Sequence, residues 1–81
     1  MNLLIDCYGP AARWCGAERL TLELPGDACV ADALDLLSQR YPEFAARRAS
    51  IAVALDDTVV SPQALLADGK RLALIPPVSG G

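Results

Sequence analysis

One segment of this chain has the periodicity of a long helix, and alternating segments lie on both sides of it. In CVADALDLLSQRYP the apolar residues share one helical stripe: Val30, Leu34, Leu37 and Tyr41. A single helix can cover one face of a sheet, but it cannot build a bundle or cover both faces. The pattern therefore predicts a two-layer α+β domain with the helix of residues 30–41 packed on one face of a sheet.

Period-two alternation identifies the strands of that sheet. Five segments show it: NLLIDCY (2–8), RLTLELP (19–25), SIAVAL (50–55), TVV (58–60) and KRLALI (70–75). Asp56-Asp57 predicts a tight turn between the third and fourth strands. A helix between two strands of one sheet suits a crossover, so we expect the first and last strands to pair in parallel at the centre.

This arrangement is the ubiquitin-like β-grasp, a mixed four- or five-stranded sheet with one main helix packed on one face. The inward positions predict the core: Leu3, Ile5, Leu20, Leu22, Val30, Leu34, Leu37, Val53, Leu72 and Leu74.

Two local features are less regular. Cys29 stands where an N-capping serine or threonine would be expected, which predicts a weak helix cap. SPQALLADG predicts a short helical turn that ends at Gly69.

Charge and hydropathy argue against two classes of partner. The chain carries seven basic and ten acidic residues, a net charge of −3, and its basic residues are scattered rather than clustered. Nucleic-acid binding usually needs a basic face, so we expect none. The apolar runs are only a few residues long, and the first residues lack a basic segment, so we expect neither a membrane span nor a signal peptide. A cytoplasmic location is expected.

The chain has no histidine, and its three cysteines (Cys7, Cys15 and Cys29) show no C-x-x-C spacing. A zinc site is therefore not expected, and reduced thiols in a cytosolic protein are the simpler interpretation. Without histidine, serine or cysteine triads cannot be assembled within this chain. No bound metal or cofactor is expected.

The printed sequence ends IPPVSGG. Pro76-Pro77 favours the extended polyproline II conformation, and two glycines make a tip thin enough to enter a narrow channel. An extended chain from Ile75 to Gly81 would reach about 20 Å at roughly 3.3 Å per residue. We therefore expect a β-grasp domain of residues 1–75 followed by a flexible tail of residues 76–81.

DGKRLALIPPVSGG resembles the C-terminal signature of the molybdopterin synthase small subunit family. YGPAARWCG, CVADALDLL and VALDDTVV are similar to the first loop, the helix start and the central hairpin of that family, and of its relatives in the thiamine pathway. The resemblance implies sulfur carriage. A ubiquitin-activating-type enzyme would use ATP to adenylate Gly81, and a sulfurtransferase would supply the sulfur of a C-terminal thiocarboxylate. This carrier would then donate sulfur to a cyclic pyranopterin phosphate.

In that family the small subunit is non-catalytic, so the active site is expected on the large subunit of a heterotetramer. The reactive residue here would be Gly81. The expected partner-binding residues lie in the tail and on the sheet face opposite the helix: Tyr8, Ile75, Pro76, Pro77, Val78, Ser79 and Gly80. One of Val59 or Val60 is expected to join this surface.

Four alternatives stay open at this point. The same tail chemistry would serve a sulfur carrier of the thiamine, cysteine or tungsten-cofactor pathways. A ubiquitin-like modifier conjugated to proteins through Gly81 would also begin with adenylation. A third alternative is a plain interaction domain whose Gly-Gly ending is accidental. A fourth assigns the sulfur to Cys7 or Cys29, although both side chains are expected to be buried or half-buried.

Overall fold

The computed structural model describes residues 1–77 of the chain. The strands are β1 (Asn2–Cys7), β2 (Arg19–Glu23), β3 (Ala52–Leu55), β4 (Thr58–Val59) and β5 (Arg71–Ile75). The helices are α1 (Ala11–Trp14), α2 (Val30–Arg40) and α3 (Pro42–Arg47), and a 3-10 turn follows at Arg48–Ser50. Val78, Ser79, Gly80 and Gly81 lie outside the described residues, so the predictions for them are not addressed by the structure.

The strands form one mixed sheet in the order β2-β1-β5-β3-β4. β1 pairs in parallel with β5, with Ile5 opposite Leu72, and the other pairs are antiparallel. The parallel pairing of the first and last strands at the centre is therefore confirmed. The Asp56-Asp57 turn is also confirmed, because both residues have positive φ, as a tight hairpin between β3 and β4 requires.

The core lies between α2 and one face of the sheet. Val30, Ala33, Leu34 and Leu37 are the buried residues of α2, as the helical stripe predicts. The predicted core is confirmed except at Leu20, which is only partly buried. Leu20 lies on β2, an edge strand with a neighbour on one side only, so less of the molecule covers it.

The periodicity of the sequence does not reveal α3 or its buried side chain. Phe44 is fully buried and is the largest such side chain among the described residues. Pro42 stands at the start of α3, where its missing N–H costs no hydrogen bond. A helix of six residues is too short to show a periodic stripe, so the proline marked an end of α2 without revealing that a second helix begins there.

Two predictions concern the start of α2. Cys29 makes no side-chain cap hydrogen bond, as the weak cap predicts, but its N–H donates to Asp32 Oδ2 at 2.9 Å, which supplies the reciprocal bond of a capping box. The prediction of a helical turn in SPQALLADG is wrong: two tight turns, closed by Ala64 N–H to the Ser61 carbonyl and by Lys70 N–H to the Ala67 carbonyl, flank an isolated bridge between Leu65 and Cys29. The N–H groups of Val30 and Ala31 donate to carbonyls of this segment at 2.9 and 2.8 Å. The segment thus satisfies free donors of the helix N-terminus.

The buried position of Phe44 predicts a large stability loss on truncation. Phe44→Ala should lower the free energy of unfolding by about 3–5 kcal/mol, because it removes buried apolar surface and leaves a cavity. Leu65→Ala is the matched control, since Leu65 is 73% exposed and should change little. Urea unfolding followed by circular dichroism measures both. Equal midpoints for Phe44→Ala and the unmodified protein would contradict the packing of α3.

Candidate functional site

The sheet face opposite α2 is open, and the register divides it into an apolar half and a charged half. The apolar half consists of Ala52, Ala54, Val59, Ala73 and Ile75, and the charged half of Asp6, Arg19 and Arg71. Successive residues of a strand point to opposite faces, so these positions alternate with those that face the core, although Ala54 and Asp6 are themselves buried. Both halves lie on one surface because β1 and β5 are neighbours.

The apolar half is built mostly from small residues. Ala54 lies opposite Ala73 on β5 and opposite Val59 on β4, and Ile75 lies opposite Ala52. Val59 is 72% exposed, whereas Val60 packs against the core. The structure therefore places Val59 rather than Val60 on this surface. Alanine side chains leave the surface low, so a partner could approach it closely.

Tyr8 and Ile75 lie next to each other at one end of this face. β1 and β5 are in parallel register up to Cys7 and Leu74, and the Tyr8 N–H donates to the Leu74 carbonyl at 3.2 Å. Tyr8 is 53% exposed, Ile75 and Pro76 are half-buried, and Pro77 is exposed. These four predicted partner-binding residues lie where β1 and β5 end, while their role in binding stays a prediction.

The charged half was not found by sequence reasoning. Asp6 lies on the open face of β1, yet its side chain is only 10% exposed. Its Oδ1 accepts from Arg19 Nε at 3.0 Å, and its Oδ2 lies 3.2 Å from Arg71 Nε. A buried carboxylate is costly unless it is paired, and here it has one guanidinium on each side. On its own strand, each of the three residues alternates with residues that face the core. This alternation was the only sign in the sequence that they could share the open face.

A depression of about 450 Å³ adjoins the charged half at the end of β1. The loop after β1 forms one wall of it, and the three charged residues form another. Its lining residues are Asp6, Cys7, Tyr8, Gly9, Ala12, Glu18, Arg19 and Arg71. The depression therefore connects the charged half with Tyr8.

The cysteines are poor candidates for sulfur carriage. Cys7 and Cys15 are buried, and Cys29 is half-buried. Burial raises the pKa of the Cys7 thiol to about 12, and the neighbouring Cys15 adds to the effect. Burial also raises the pKa of Cys15. Because the thiolate is the reactive form, neutral thiols at these two positions are inert near pH 7.

Within residues 1–77, the Cys, Asp and Glu side chains form no group of three or more that could hold a metal ion. In the same range, no helix has the length and apolar character needed to cross a bilayer.

The sequence resembles known proteins over its whole length. Residues 9–81 match the model of the ThiS family. The molybdopterin synthase sulfur carrier subunit of Arabidopsis thaliana is 30% identical over 81 residues, which cover the whole chain and 84% of that protein.

Solved structures share the fold. The crystal structure of SAMP1 from Haloferax volcanii matches with a TM-score of 0.90 and 29% identity, and the match covers 100% of both chains. The complex of subunits 1 and 2 of molybdopterin-converting factor from Helicobacter pylori 26695 matches with a TM-score of 0.72, 24% identity and 100% coverage of both chains. The predicted ubiquitin-like β-grasp is confirmed.

Thiol labelling tests the assignment of the cysteines. N-ethylmaleimide at pH 7 should modify Cys29 in the native protein and leave Cys7 and Cys15 unmodified, because these two thiols are buried and neutral. All three should react after unfolding in urea, and Cys29→Ser should abolish native labelling. Peptide mass spectrometry identifies the sites. Labelling of Cys7 at the rate of Cys29 would contradict the burial that argues against thiol carriage.

Proposed function

This chain belongs to the ThiS family, as its sequence motifs predicted, and on that premise we propose that it is a sulfur carrier for molybdopterin synthesis. The Gly81 carboxylate is adenylated, converted to a thiocarboxylate and presented to a second subunit, where sulfur passes to a cyclic pyranopterin phosphate. The main support is the PPVSGG segment, which follows a β-grasp domain directly. The sulfur carrier subunit of Arabidopsis, 30% identical over 81 residues, supports the choice of pathway.

The proposed chemistry needs little from this chain beyond a carboxylate. A carboxylate is a poor electrophile until its oxygen is bonded to a good leaving group, and adenylation with ATP supplies one. Attack by sulfur then expels AMP and leaves a C–S bond at Gly81. The bases and the phosphate-binding groups belong to the partners in this scheme, so a chain without histidine is adequate. The activating enzyme binds the ATP.

The open face suits the docking of a large subunit. Ile75 ends β5, a central strand, so the tail begins at the middle of the sheet rather than at its edge. The exposed side chains of Tyr8 and Val59 lie on the same side as Ile75, and together they offer apolar contact around the point where the tail begins. The relative from Helicobacter pylori, which was solved as a complex of two subunits, supports a partner of this kind.

A protein modifier joined through Gly81 is the second candidate. The likeness to SAMP1 favours it, because SAMP1 is the small archaeal modifier protein 1 of Haloferax volcanii. Lys70 is the only lysine of this chain, and its Nζ lies 3.0 Å from Asp56 Oδ2. Chains linked through internal lysines would therefore have one site. Carriers for thiamine, cysteine or a tungsten cofactor would use the same tail chemistry.

Mass spectrometry of the protein purified from its own cells tests the proposed chemistry. A thiocarboxylate should add about 16 Da at Gly81, because sulfur replaces one oxygen of the carboxylate, the group that adenylation activates. A variant lacking Gly81 should show no gain and should be inactive with the large subunit, because its carboxylate is one residue short. Its melting temperature should not change. Full activity of the deletion would contradict sulfur carriage, and Gly-Gly remnants on other proteins would identify a modifier.

Charge placed at Ile75 tests the docking surface. Ile75→Asp should weaken binding to the large subunit of molybdopterin synthase by about 2 kcal/mol or more, roughly thirtyfold in Kd, because a charge would be buried in an apolar contact. Leu65→Asp is the matched control, since Leu65 is exposed and bridges to Cys29 beside α2. Titration calorimetry measures both. Equal losses for the two variants would show that the open face is not the interface.

A further inference from the structure

We infer that the charged half of the open face receives a carboxylate side chain of the large subunit, held between Arg19 and Arg71. The inference depends on the proposed function, because it takes the large subunit as the partner on this face. The apolar half supplies contact area but little direction. A carboxylate bound by two guanidiniums would fix the orientation in which the partner sits.

Asp6 fixes the two arginines in place. Each oxygen of its carboxylate contacts a different guanidinium, at 3.0 Å for Arg19 Nε and 3.2 Å for Arg71 Nε. The Asp6 side chain is 10% exposed, whereas those of Arg19 and Arg71 are 62% and 55% exposed. The carboxylate on β1 therefore lies beneath the surface, and the two guanidiniums face outward from β2 and β5, the strands that flank β1.

The arginines keep donors for a second acid. A guanidinium has five N–H groups, and each of these two uses its Nε toward Asp6. Within residues 1–77, Asp6 is the only carboxylate within ion-pair distance of Arg19 or Arg71. At ion-pair distance the two guanidiniums thus share one carboxylate, because Glu18 lines the depression without pairing with either. An incoming carboxylate could accept from the remaining Nη groups of both.

The adjoining depression gives a side chain room to reach them. Its volume of about 450 Å³ is lined by both arginines and by Tyr8, so it is continuous with the proposed docking surface. Glu18 is the other charged residue in the lining. A basic partner side chain would be attracted by Glu18 but repelled by the two guanidiniums. An acidic partner side chain would be attracted by the guanidiniums and repelled by Glu18. The two kinds of partner group therefore predict opposite effects when Glu18 is neutralised.

Neutralising the charges one at a time tests the inference. We expect Arg19→Gln and Arg71→Gln each to weaken binding to the large subunit from the same organism roughly tenfold, the factor that about 1.4 kcal/mol represents. Glu18→Gln should tighten binding severalfold because it removes a repulsive charge. Arg40→Gln is the matched control, since Arg40 is an exposed arginine in the last turn of α2, on the opposite layer, and should change nothing. Titration calorimetry at low and high salt measures all four variants.

The signs of these changes decide the outcome. Tighter binding of the arginine variants, weaker binding of Glu18→Gln, or losses equal to that of Arg40→Gln would each overturn the inference. Glu18 makes no ion pair among residues 1–77, so Glu18→Gln should leave the fold intact. Its change in affinity therefore reports the effect of charge even if the arginine variants are less stable. The inference would also be overturned if the expected changes in affinity were found for binding to the activating enzyme but not for binding to the large subunit.

Failure of the proposed function has a separate signature. In that case the unmodified protein would neither bind the large subunit nor gain sulfur mass at Gly81. The unmodified protein could instead bind the large subunit and gain sulfur mass at Gly81, while the variants fail to show the expected changes in affinity. That result would reject the charged site but not the proposed function. The mass gain does not require the large subunit, so the two results are independent.

Discussion

The parallel pairing of β1 with β5 is the interaction on which the rest of the molecule depends. Parallel strands cannot be joined by a hairpin, so nearly the whole chain lies between these two, and α2 covers the face that their buried residues form. Their register places Ile5 beside Leu72 and Cys7 beside Leu74, with all four side chains in the core. A slip of one residue would turn the core side chains of β5 to the open face.

The same pairing determines where the proposed docking surface lies. Parallel strands end at the same edge of a sheet, so Tyr8 and Ile75 are adjacent although they lie 67 positions apart in the sequence (75 − 8). The Tyr8 N–H to Leu74 carbonyl bond continues the ladder beyond the strand itself. The last strand therefore ends beside this surface. A partner that docked here, as proposed, would meet the chain at the point where the sheet ends.

Sequence periodicity predicted the features that repeat along the chain and missed those that depend on register. Alternation identified the strands and their inward residues, and one helical stripe identified α2. Neither periodicity can reveal Phe44, because its helix is short, or the segment of turns before β5 that satisfies the first N–H groups of α2. The Asp6 cluster was missed for a related reason. Alternation gives the side of each strand, but only the register shows that Arg19 is directly opposite Asp6 and that Arg71 lies two residues along β5 from Ala73, the partner of Asp6.

Burial of the thiols complements the chemistry proposed for the tail. An activated acyl group is attacked by thiolates, and a thiolate near the tail would compete with the incoming sulfur. Cys7 is the cysteine next to the end of β5, since it lies beside Leu74. Its side chain points into the core, and its pKa is raised to about 12, so it stays a neutral thiol near pH 7. Cys29 is half-buried and forms a bridge with Leu65, outside β1 and β5. In the proposed chemistry, the inward parity of Cys7 on β1 would therefore keep its thiol from attacking an activated tail, in addition to filling the core.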